Sequence, residues 1–148
     1  MNEIRAIVSG GASGLGLAVA GHLVRAGGQV VLLDVNEMQG RQAVAALGRG
    51  ASFLATDVSD EAAVDRSVAD AAASLGGINA AVNCAGIGAP GRLVGKQGPM
   101  AGAFFRKMIE INLVGTMLVA KAAAVAMQRN APNADGERGV IVMTASVA

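Results

Sequence analysis

The sequence predicts a doubly wound α/β fold, in which helices cover both faces of one parallel β-sheet. Strand and helix patterns alternate along the chain, and this alternation is typical of parallel strands with right-handed crossovers. The strand patterns are continuous apolar runs such as Val30-Val31-Leu32-Leu33, which indicate burial on both faces of the sheet. The 148 residues, 53% of them hydrophobic, suffice for one domain with a substantial core.

Apolar periodicity and helix-ending residues predict five strands and four helices. The strands are expected at residues 4–8, 29–33, 51–56, 78–83 and 140–144. The helices are expected at Gly14–Arg25, at Glu37–Leu47, from a cap at Ser59 or Asp60 to about Ser74, and at residues 100–127. Glycines follow the first three helices, as is typical of helix C-termini, and residues 86–99 form a glycine-rich loop. The last strand has no polar alternation, which indicates a central position in the sheet.

The first strand and the first helix are joined by a glycine-rich turn. Within Ser9-Gly10-Gly11-Ala12-Ser13-Gly14-Leu15-Gly16, the glycines at 10, 14 and 16 are spaced as G-x-x-x-G-x-G. A helix that starts directly after such a turn presents free N–H groups and the positive end of its dipole to an anion. Glycine also lets the backbone approach a pyrophosphate closely. Because a glycine turn alone is a weak signal, a tight turn without a ligand is the alternative.

An acidic residue at the end of the second strand strengthens the interpretation that the glycine turn binds the pyrophosphate of a dinucleotide. Asp34 lies 20 residues after Gly14, an offset at which a carboxylate can accept hydrogen bonds from the ribose hydroxyls of NAD. Asp34 could instead be the N-cap of the helix that starts near Glu37. We favour the ribose role because the glycine turn and Asp34 are separated by the offset expected of a dinucleotide-binding fold.

Polar or glycine-rich segments follow all five predicted strands. They are residues 10–16, Asp34, Asp57, residues 83–86 and Ser146. The carboxyl ends of parallel strands lie at one edge of the sheet, and ligands of doubly wound folds bind there. The sequence therefore predicts one binding site at this edge.

Composition and charge argue against several classes of partner. The formal net charge is +1, and aromatic residues make up 2% of the chain, with neither Trp nor Tyr. Such a chain favours neither nucleic acid, which is bound through cations and base stacking, nor an acidic membrane surface. Cys84 is the single cysteine, so a reducing compartment is expected. No metal site is predicted.

We expect a cytoplasmic protein. The N-terminus enters a strand almost at once and shows no signal-peptide pattern. No apolar run reaches the roughly 18 residues of a membrane span, because polar or small residues interrupt the longest apolar region, residues 111–127.

Two motifs resemble those of the short-chain dehydrogenase/reductase family. The glycine turn resembles T-G-x-x-x-G-x-G, with Ser9 in place of Thr, and Asn83-Cys84-Ala85-Gly86 resembles N-N-A-G, with Cys84 in place of the second Asn. The stretches SGGASGLGLA, VNCAGI, INLVGT and GVIVMTASVA look most like the type II 3-hydroxyacyl-CoA dehydrogenases of this family. The resemblance implies a Rossmann fold and hydride transfer between NAD and a 3-hydroxyacyl-CoA or 3-oxoacyl-CoA. Acyl-carrier-protein thioesters, sugars or steroids are alternative substrates, and a non-catalytic NAD-binding module is an alternative of another class.

The resemblance also implies which residues bind the cofactor. They are Gly10, Ser13, Gly14, Leu15, Gly16, Asp34, Asp57, Val58, Asn83, Cys84, Ala85 and Gly86. Asp57 would accept a hydrogen bond from the adenine amino group, and the Val58 N–H would face an adenine ring nitrogen. Asp57 could instead only cap a turn. We expect Cys84 to be a small buried side chain that contacts the cofactor through its backbone.

Two catalytic residues are implied in the same way. Ser146 would position the substrate carbonyl or hydroxyl group by hydrogen bonding, and Asn112 would help to hold the water of a proton relay. Asn112 follows Phe105 and Ile109 at helical spacing, so we expect it on an apolar, buried face. A structural Asn that bonds the helix backbone is the alternative. The only histidine, His22, lies in the first helix and is expected to be exposed.

The family's proton-transfer residues, Tyr-x-x-x-Lys, would follow Ser146, and the 148 residues contain no Tyr. We therefore expect the sequence to match the N-terminal part of a family member, without its C-terminal strands and helices, and to be inactive alone. The resemblance implies a homodimer or homotetramer of the full-length protein, paired through the long helix and the helix after the last strand. The expected partner is a small-molecule substrate, with neither nucleic acid nor membrane.

Overall fold

The computed structural model describes residues 4–88, 92–96 and 98–145. Five of its strands form one parallel sheet, namely β1 (Arg5–Ser9), β2 (Gln29–Asp34), β3 (Ala51–Ala55), β4 (Ala80–Asn83) and β7 (Val140–Met143). Their order in the sheet is β3-β2-β1-β4-β7. Two further strands, β5 (Val94–Gly95) and β6 (Gly98–Pro99), pair as a small antiparallel ribbon inside the predicted loop.

The chain reverses its direction across the sheet between β1 and β4. It runs from β1 outward through β2 to β3, and then returns to β4 on the other side of β1. In register, Ser9 lies opposite Leu33 on one side and Asn83 on the other. The carboxyl ends of the central strands are therefore aligned, and a crevice opens where the strand order reverses.

The helices agree closely with the predicted ones. They are α1 (Gly14–Arg25), α2 (Glu37–Leu47), α3 (Glu61–Leu75), α4 (Gly102–Ile109) and α5 (Thr116–Met127). A π-helical turn, Glu110–Gly115, joins α4 to α5. The long predicted helix is therefore continuous, but its middle turn is wider than an α-helical turn.

Side-chain caps start α2 and α3. The Asn36 side chain accepts a hydrogen bond from the Gln39 N–H at 3.0 Å, and Asp60 accepts one from the Ala63 N–H at 3.1 Å. These caps satisfy free amides of the first turn. The alternative in which Asp34 caps α2 is therefore wrong, and of the two candidates for α3 the cap is Asp60.

The core consists of two apolar layers, one on each face of the sheet. Ile7 and Leu33 pack with residues of α3 and α5, such as Val64 and Val119. Their chain neighbours Val8 and Leu32 face the other way. They form the opposite layer with Ala6 and Val30 of the sheet, Ala20 of α1 and Ala43 of α2. Successive residues of a strand point to opposite faces, so the central strands are buried on both sides and the predicted three-layer fold is confirmed.

The last strand is an edge strand among the described residues, whereas its uninterrupted apolar sequence predicts a central position with a further strand beyond it. β7 pairs only with β4 in this part of the chain. Val140, Val142 and Met143 are each about half exposed. Apolar burial is therefore incomplete on this side of the sheet.

The continuous helix Gly102–Met127 meets the length and composition criteria of a membrane span, contrary to the sequence expectation. Its 26 residues include a window with a mean hydropathy of 1.6, of which 28% is buried. One such helix is weak evidence for a membrane span, because core helices of soluble proteins meet the same criteria. Here α5 packs on α3, β4 and β7.

Candidate functional site

A cleft of about 470 Å³ lies at the carboxyl ends of the strands, where the strand order reverses. Every predicted cofactor-binding residue except Asn83 lines this cleft. Asp34 and Asp57 contribute its carboxylates, and none of the described residues that line it is a Lys or an Arg. The structure thus brings together residues from the ends of β1, β2, β3 and β4.

Glycine is required at the three motif positions of the turn for different structural reasons. A Cβ on Gly16 would lie 2.2 Å from the carbonyl oxygen of Gly10, and one on Gly10 would lie 2.8 Å from the backbone of Ala85. Gly10 and Gly16 therefore allow the turn to pack on itself and on the segment after β4. Gly14 has a φ of 52°, and a Cβ added to it would meet no atom within 4 Å, so only its backbone conformation requires glycine there.

The hydrogen bonds of the turn determine which amides remain for an anion. The Gly11 N–H donates to the carbonyl of Leu33 at 3.3 Å, and the Ala12 N–H donates to Asp34 Oδ2 at 3.1 Å. Residues 14–16 begin α1, and the first amides of a helix have no acceptor inside it. Residues 14–16 line the cleft, so the amides that are available to an anion start at Gly14.

Ser13 is the N-cap residue of α1, yet its hydroxyl makes no cap hydrogen bond. It has an extended backbone, with φ −153° and ψ 174°. Because Ser13 is exposed and lines the cleft, its hydroxyl is placed to bind a ligand oxygen beside the amides of α1.

Asp34 is half-buried, and both of its carboxylate oxygens accept hydrogen bonds. Oδ2 accepts from the Ala12 N–H, and Oδ1 accepts from the Asn36 N–H at 3.0 Å. Each carboxylate oxygen can accept a further hydrogen bond. The carboxylate is thus held in one orientation and can still accept from hydroxyl groups of a ligand.

The hydroxyl of Ser9 connects the end of β1 to the segment after β4. It is 1% exposed, and its Oγ accepts from the N–H groups of Cys84 and Ala85, each at 3.3 Å. This contact explains why a hydroxyl residue suits position 9. It also fixes the Cys84-Ala85-Gly86 backbone at the wall of the cleft.

Asn83 and Cys84 differ in their relation to the cleft. Asn83 is 3% exposed and does not line the cleft, and its side-chain amide has no hydrogen-bond partner among the described residues. Cys84 is half-buried, less than predicted, and its Sγ lies 3.5 Å from Thr144 Oγ1. Residue 83 therefore lies beneath the cleft, whereas residue 84 reaches its surface.

Asp57 forms a compact turn with Ser59. Its Oδ1 accepts from the Ser59 N–H at 2.9 Å and from the Ser59 hydroxyl at 2.6 Å. These hydrogen bonds, with attraction by Lys107, hold the pKa of the Asp57 carboxyl below its ordinary value. Asp57 thus caps a turn, as the alternative proposed, while it also lines the cleft beside Val58.

Asn112 lies in the π-helical turn and is exposed, so the predicted burial is wrong. Phe105 and Ile109, expected to share a buried face with it, are 49% and 40% exposed. The Asn112 side chain bonds the backbone of Ile87 instead of its own helix. The Thr116 hydroxyl donates to the Asn112 carbonyl at 2.7 Å and so satisfies one carbonyl of the π-helical turn.

Seven residues that line the cleft were not predicted as site residues, namely Leu33, Val35, Asn36, Gln39, Thr56, Ile87 and Ile111. Ile87 directly follows Gly86 and Ile111 directly precedes Asn112, so proximity to both motifs was the available signal. His22 is exposed on α1, as predicted. The described residues contain no group of three or more His, Cys, Asp or Glu side chains that could hold a metal ion. Ser146 lies outside the described residues.

Comparison with known proteins gives the family. The family model described as short chain dehydrogenase matches residues 5–148. The bovine 3-hydroxyacyl-CoA dehydrogenase type-2 is 39% identical over 145 residues, which cover 97% of this chain and 56% of that protein. A 2,5-dichloro-2,5-cyclohexadiene-1,4-diol dehydrogenase of Sphingobium indicum is 37% identical over 145 residues, or 96% of this chain and 54% of that protein.

A solved structure shares the fold. The crystal structure of 3-hydroxyacyl-CoA dehydrogenase type-2 from Mycobacterium avium matches with a TM-score of 0.88 and 37% identity, over 99% of this chain and 58% of that one. The chain thus spans little more than half the length of these relatives. With the family model matched over nearly the whole sequence, this chain belongs to the short-chain dehydrogenase family.

Proposed function

We propose that this chain is the cofactor-binding part of an NAD-dependent dehydrogenase that moves a hydride between NAD(H) and a secondary alcohol or ketone. The observation that carries this proposal is the pairing, within one cleft, of the free amides at the start of α1 with the oriented carboxylate of Asp34. An anion-binding helix terminus beside a hydroxyl-binding carboxylate suits the pyrophosphate and the ribose of a dinucleotide.

In this proposal, different residues of the cleft bind different parts of the cofactor. The amides of residues 14–16 and the Ser13 hydroxyl bind the pyrophosphate, and Asp34 accepts from the adenosine ribose hydroxyls. Asp57 and the Val58 N–H bind the edge of the adenine. The nicotinamide half lies towards the Cys84-Ala85-Gly86 backbone. When bound, NAD supplies the hydride acceptor, and these residues orient it.

Asp34 favours NAD over NADP. A phosphate on the 2′ oxygen would meet this carboxylate, and two like charges about 4 Å apart repel by roughly 4 kcal/mol at an effective dielectric constant of 20. Solvent screening reduces this value. No Lys or Arg occurs in residues 10–16 or 35–40, so the sequence offers no cation there to pair with a phosphate.

The proposed substrate is a 3-hydroxyacyl-CoA or the corresponding 3-oxoacyl-CoA. Several similar proteins are named 3-hydroxyacyl-CoA dehydrogenase type-2, at 38% to 39% identity. Ser146 would hydrogen bond the reacting oxygen, and Asn112 would contribute to a proton relay. A phenol beside a lysine is the proton donor of the family, and no Tyr occurs in these 148 residues. We propose that these residues bind the cofactor without turnover.

Self-association would occur through the long helix. Four apolar residues spaced four apart along it are at least 40% exposed, namely Phe105, Ile109, Leu113 and Met117. A stripe of this kind is typical of an interface between subunits. It supports a homodimer or a homotetramer of the full-length protein.

Isothermal titration calorimetry of the 148-residue chain with NAD tests the proposal. We expect one molecule of NAD to bind per chain, with circular dichroism and thermal melting confirming that the chain is folded. A folded chain that binds no NAD at millimolar concentration would refute the proposed function.

A further inference from the structure

The carboxylate of Asp34 is bonded to the glycine turn itself. Its Oδ2 accepts from the Ala12 N–H at 3.1 Å, directly after the Gly11 N–H that donates to the carbonyl of Leu33. Two successive amides of the turn are thus bonded to two successive residues at the end of β2. Hydrogen bonds to a charged acceptor are stronger than those between neutral groups.

The bond to Ala12 is the last fixed point before α1 begins. Ser13, the next residue, makes no side-chain cap bond, and Gly14 has open space where a Cβ would be. The Ser13 carbonyl accepts from the Leu17 N–H at 3.0 Å within the helix, but neither the Ser13 hydroxyl nor packing at Gly14 ties these two residues to the rest of the cleft, although the amides proposed to bind the anion follow directly. The orientation of these amides depends on how firmly the turn is held at Ala12.

We propose that Asp34 is a positioning residue for the glycine turn, so that affinity for the cofactor pyrophosphate depends on an acceptor oxygen at position 34. This role is separate from any contact with the ribose. Its consequence for binding rests on the proposed function, but the bond itself belongs to the protein without cofactor.

The environment of the two amides predicts how substitutions at position 34 differ. Ala12 is 5% exposed, so without Asp34 its N–H would have little access to water, and an unpaired buried amide is unfavourable. Asn36 is exposed, so water can replace Asp34 as its acceptor. In Asp34→Asn, the single side-chain oxygen will therefore face Ala12. The side-chain NH₂ will then face the Asn36 N–H, which cannot bond to it and will turn to water, so the turn will be retained through the bond to Ala12. Asp34→Ala provides no acceptor.

Hydrogen exchange of the Ala12 amide, measured by NMR on the protein without cofactor, tests the bond directly. We expect slow exchange in the wild type and in Asp34→Asn, and exchange at least about tenfold faster in Asp34→Ala. Asp60→Ala is the matched control, since it removes a carboxylate that accepts a backbone N–H at the same 3.1 Å, outside the cleft. Its Ala12 exchange should equal that of the wild type. Unchanged exchange in Asp34→Ala, or fast exchange in Asp34→Asn, would overturn the proposal.

Binding of an NAD analogue that lacks the adenosine 2′- and 3′-hydroxyl groups tests the consequence. If Asp34 positions the turn, Asp34→Ala lowers the affinity for this analogue about tenfold, and Asp34→Asn restores most of it. If Asp34 acts only through the ribose, Asp34→Ala leaves the affinity for the analogue unchanged, and the proposal fails. A wild-type chain that binds no NAD would refute the proposed function alone, because the exchange measurement would still decide whether Asp34 holds the turn.

Discussion

The side chain of Asn112 is bonded to the backbone of Ile87 by two hydrogen bonds. Its Oδ1 accepts from the Ile87 N–H and its Nδ2 donates to the Ile87 carbonyl, each at 2.8 Å. This pairing holds the segment after Gly86 against the π-helical turn. Because Ile87 lines the cleft, Asn112 can affect cofactor binding through the position of this segment.

Replacing Asn112 with Asp should release this segment. The carboxylate can still accept from the Ile87 N–H, but it will repel the Ile87 carbonyl, to which Asn112 donates. We expect the free energy of unfolding to fall by about 1 kcal/mol and NAD affinity to fall with it. Denaturant unfolding and calorimetry measure the two quantities. Asn133→Asp, in the exposed turn before β7, is the control and should leave NAD affinity unchanged; equal behaviour of the two variants would contradict this role of Asn112.

Gly16→Ala should disrupt the turn. The added Cβ would lie 2.2 Å from the Gly10 carbonyl oxygen, so the turn must shift and NAD binding should be lost, with a destabilisation of about 1–3 kcal/mol. Gly136→Ala is the control, because Gly136 has a φ of 83° and open surroundings. It should be destabilised by backbone strain alone and bind NAD normally. Normal binding by folded Gly16→Ala would show that the turn is not the binding site.

The chain should prefer NAD to NADP by about tenfold or more, which corresponds to about 1.4 kcal/mol. The physical reason is repulsion between the Asp34 carboxylate and a 2′-phosphate. Competitive calorimetric titrations at constant ionic strength measure the ratio, since salt screens the repulsion. Equal affinities would remove the ribose role of Asp34.

The lowered pKa of Asp57 predicts a contribution to stability that depends on pH. A carboxyl group whose pKa is lower in the folded state stabilises the fold above its unfolded-state pKa of about 3.9, and this contribution is lost as pH falls through the folded-state value. The difference in unfolding free energy between wild type and Asp57→Asn should therefore shrink as the pH falls below about 4. Ser59→Ala should reduce the same difference, because the Ser59 hydroxyl is the main cause of the shift. A difference that does not vary with pH would contradict this assignment.

The 148-residue chain should not turn over substrate. It contains no Tyr, and general acid catalysis near neutral pH needs a positioned group with a suitable pKa. We expect no oxidation of NADH in the presence of acetoacetyl-CoA, even where NADH binds. Turnover by the purified chain would require a different acid.

Local patterns predicted the helices well, because periodicity and glycine stops act within a few residues. The bounds of α1 and α2 were predicted residue for residue. The exposure of Asn112 could not be predicted in this way, since it depends on which elements cover that face of the long helix. The π-helical turn was also missed, because nothing in the apolar pattern separates a π-turn from an α-turn.

The placement of the candidate site was more predictable than its internal bonds. A parallel sheet brings the carboxyl ends of its strands to one edge, so the motifs after β1 and β2 lie close together whatever the conformation of the loops. The bond between Ala12 and Asp34 depends on the path of individual residues in the turn. Likewise, the burial of Asn83 beneath the cleft follows from the pleat at the end of β4, which a motif does not specify.

A crystal structure of this chain with NAD tests the central claim most directly. The account predicts the pyrophosphate within hydrogen-bonding distance of the amides of residues 14–16, with the adenosine ribose hydroxyls on the carboxylate of Asp34. A dinucleotide bound elsewhere, or one whose pyrophosphate makes no contact with the start of α1, would contradict it.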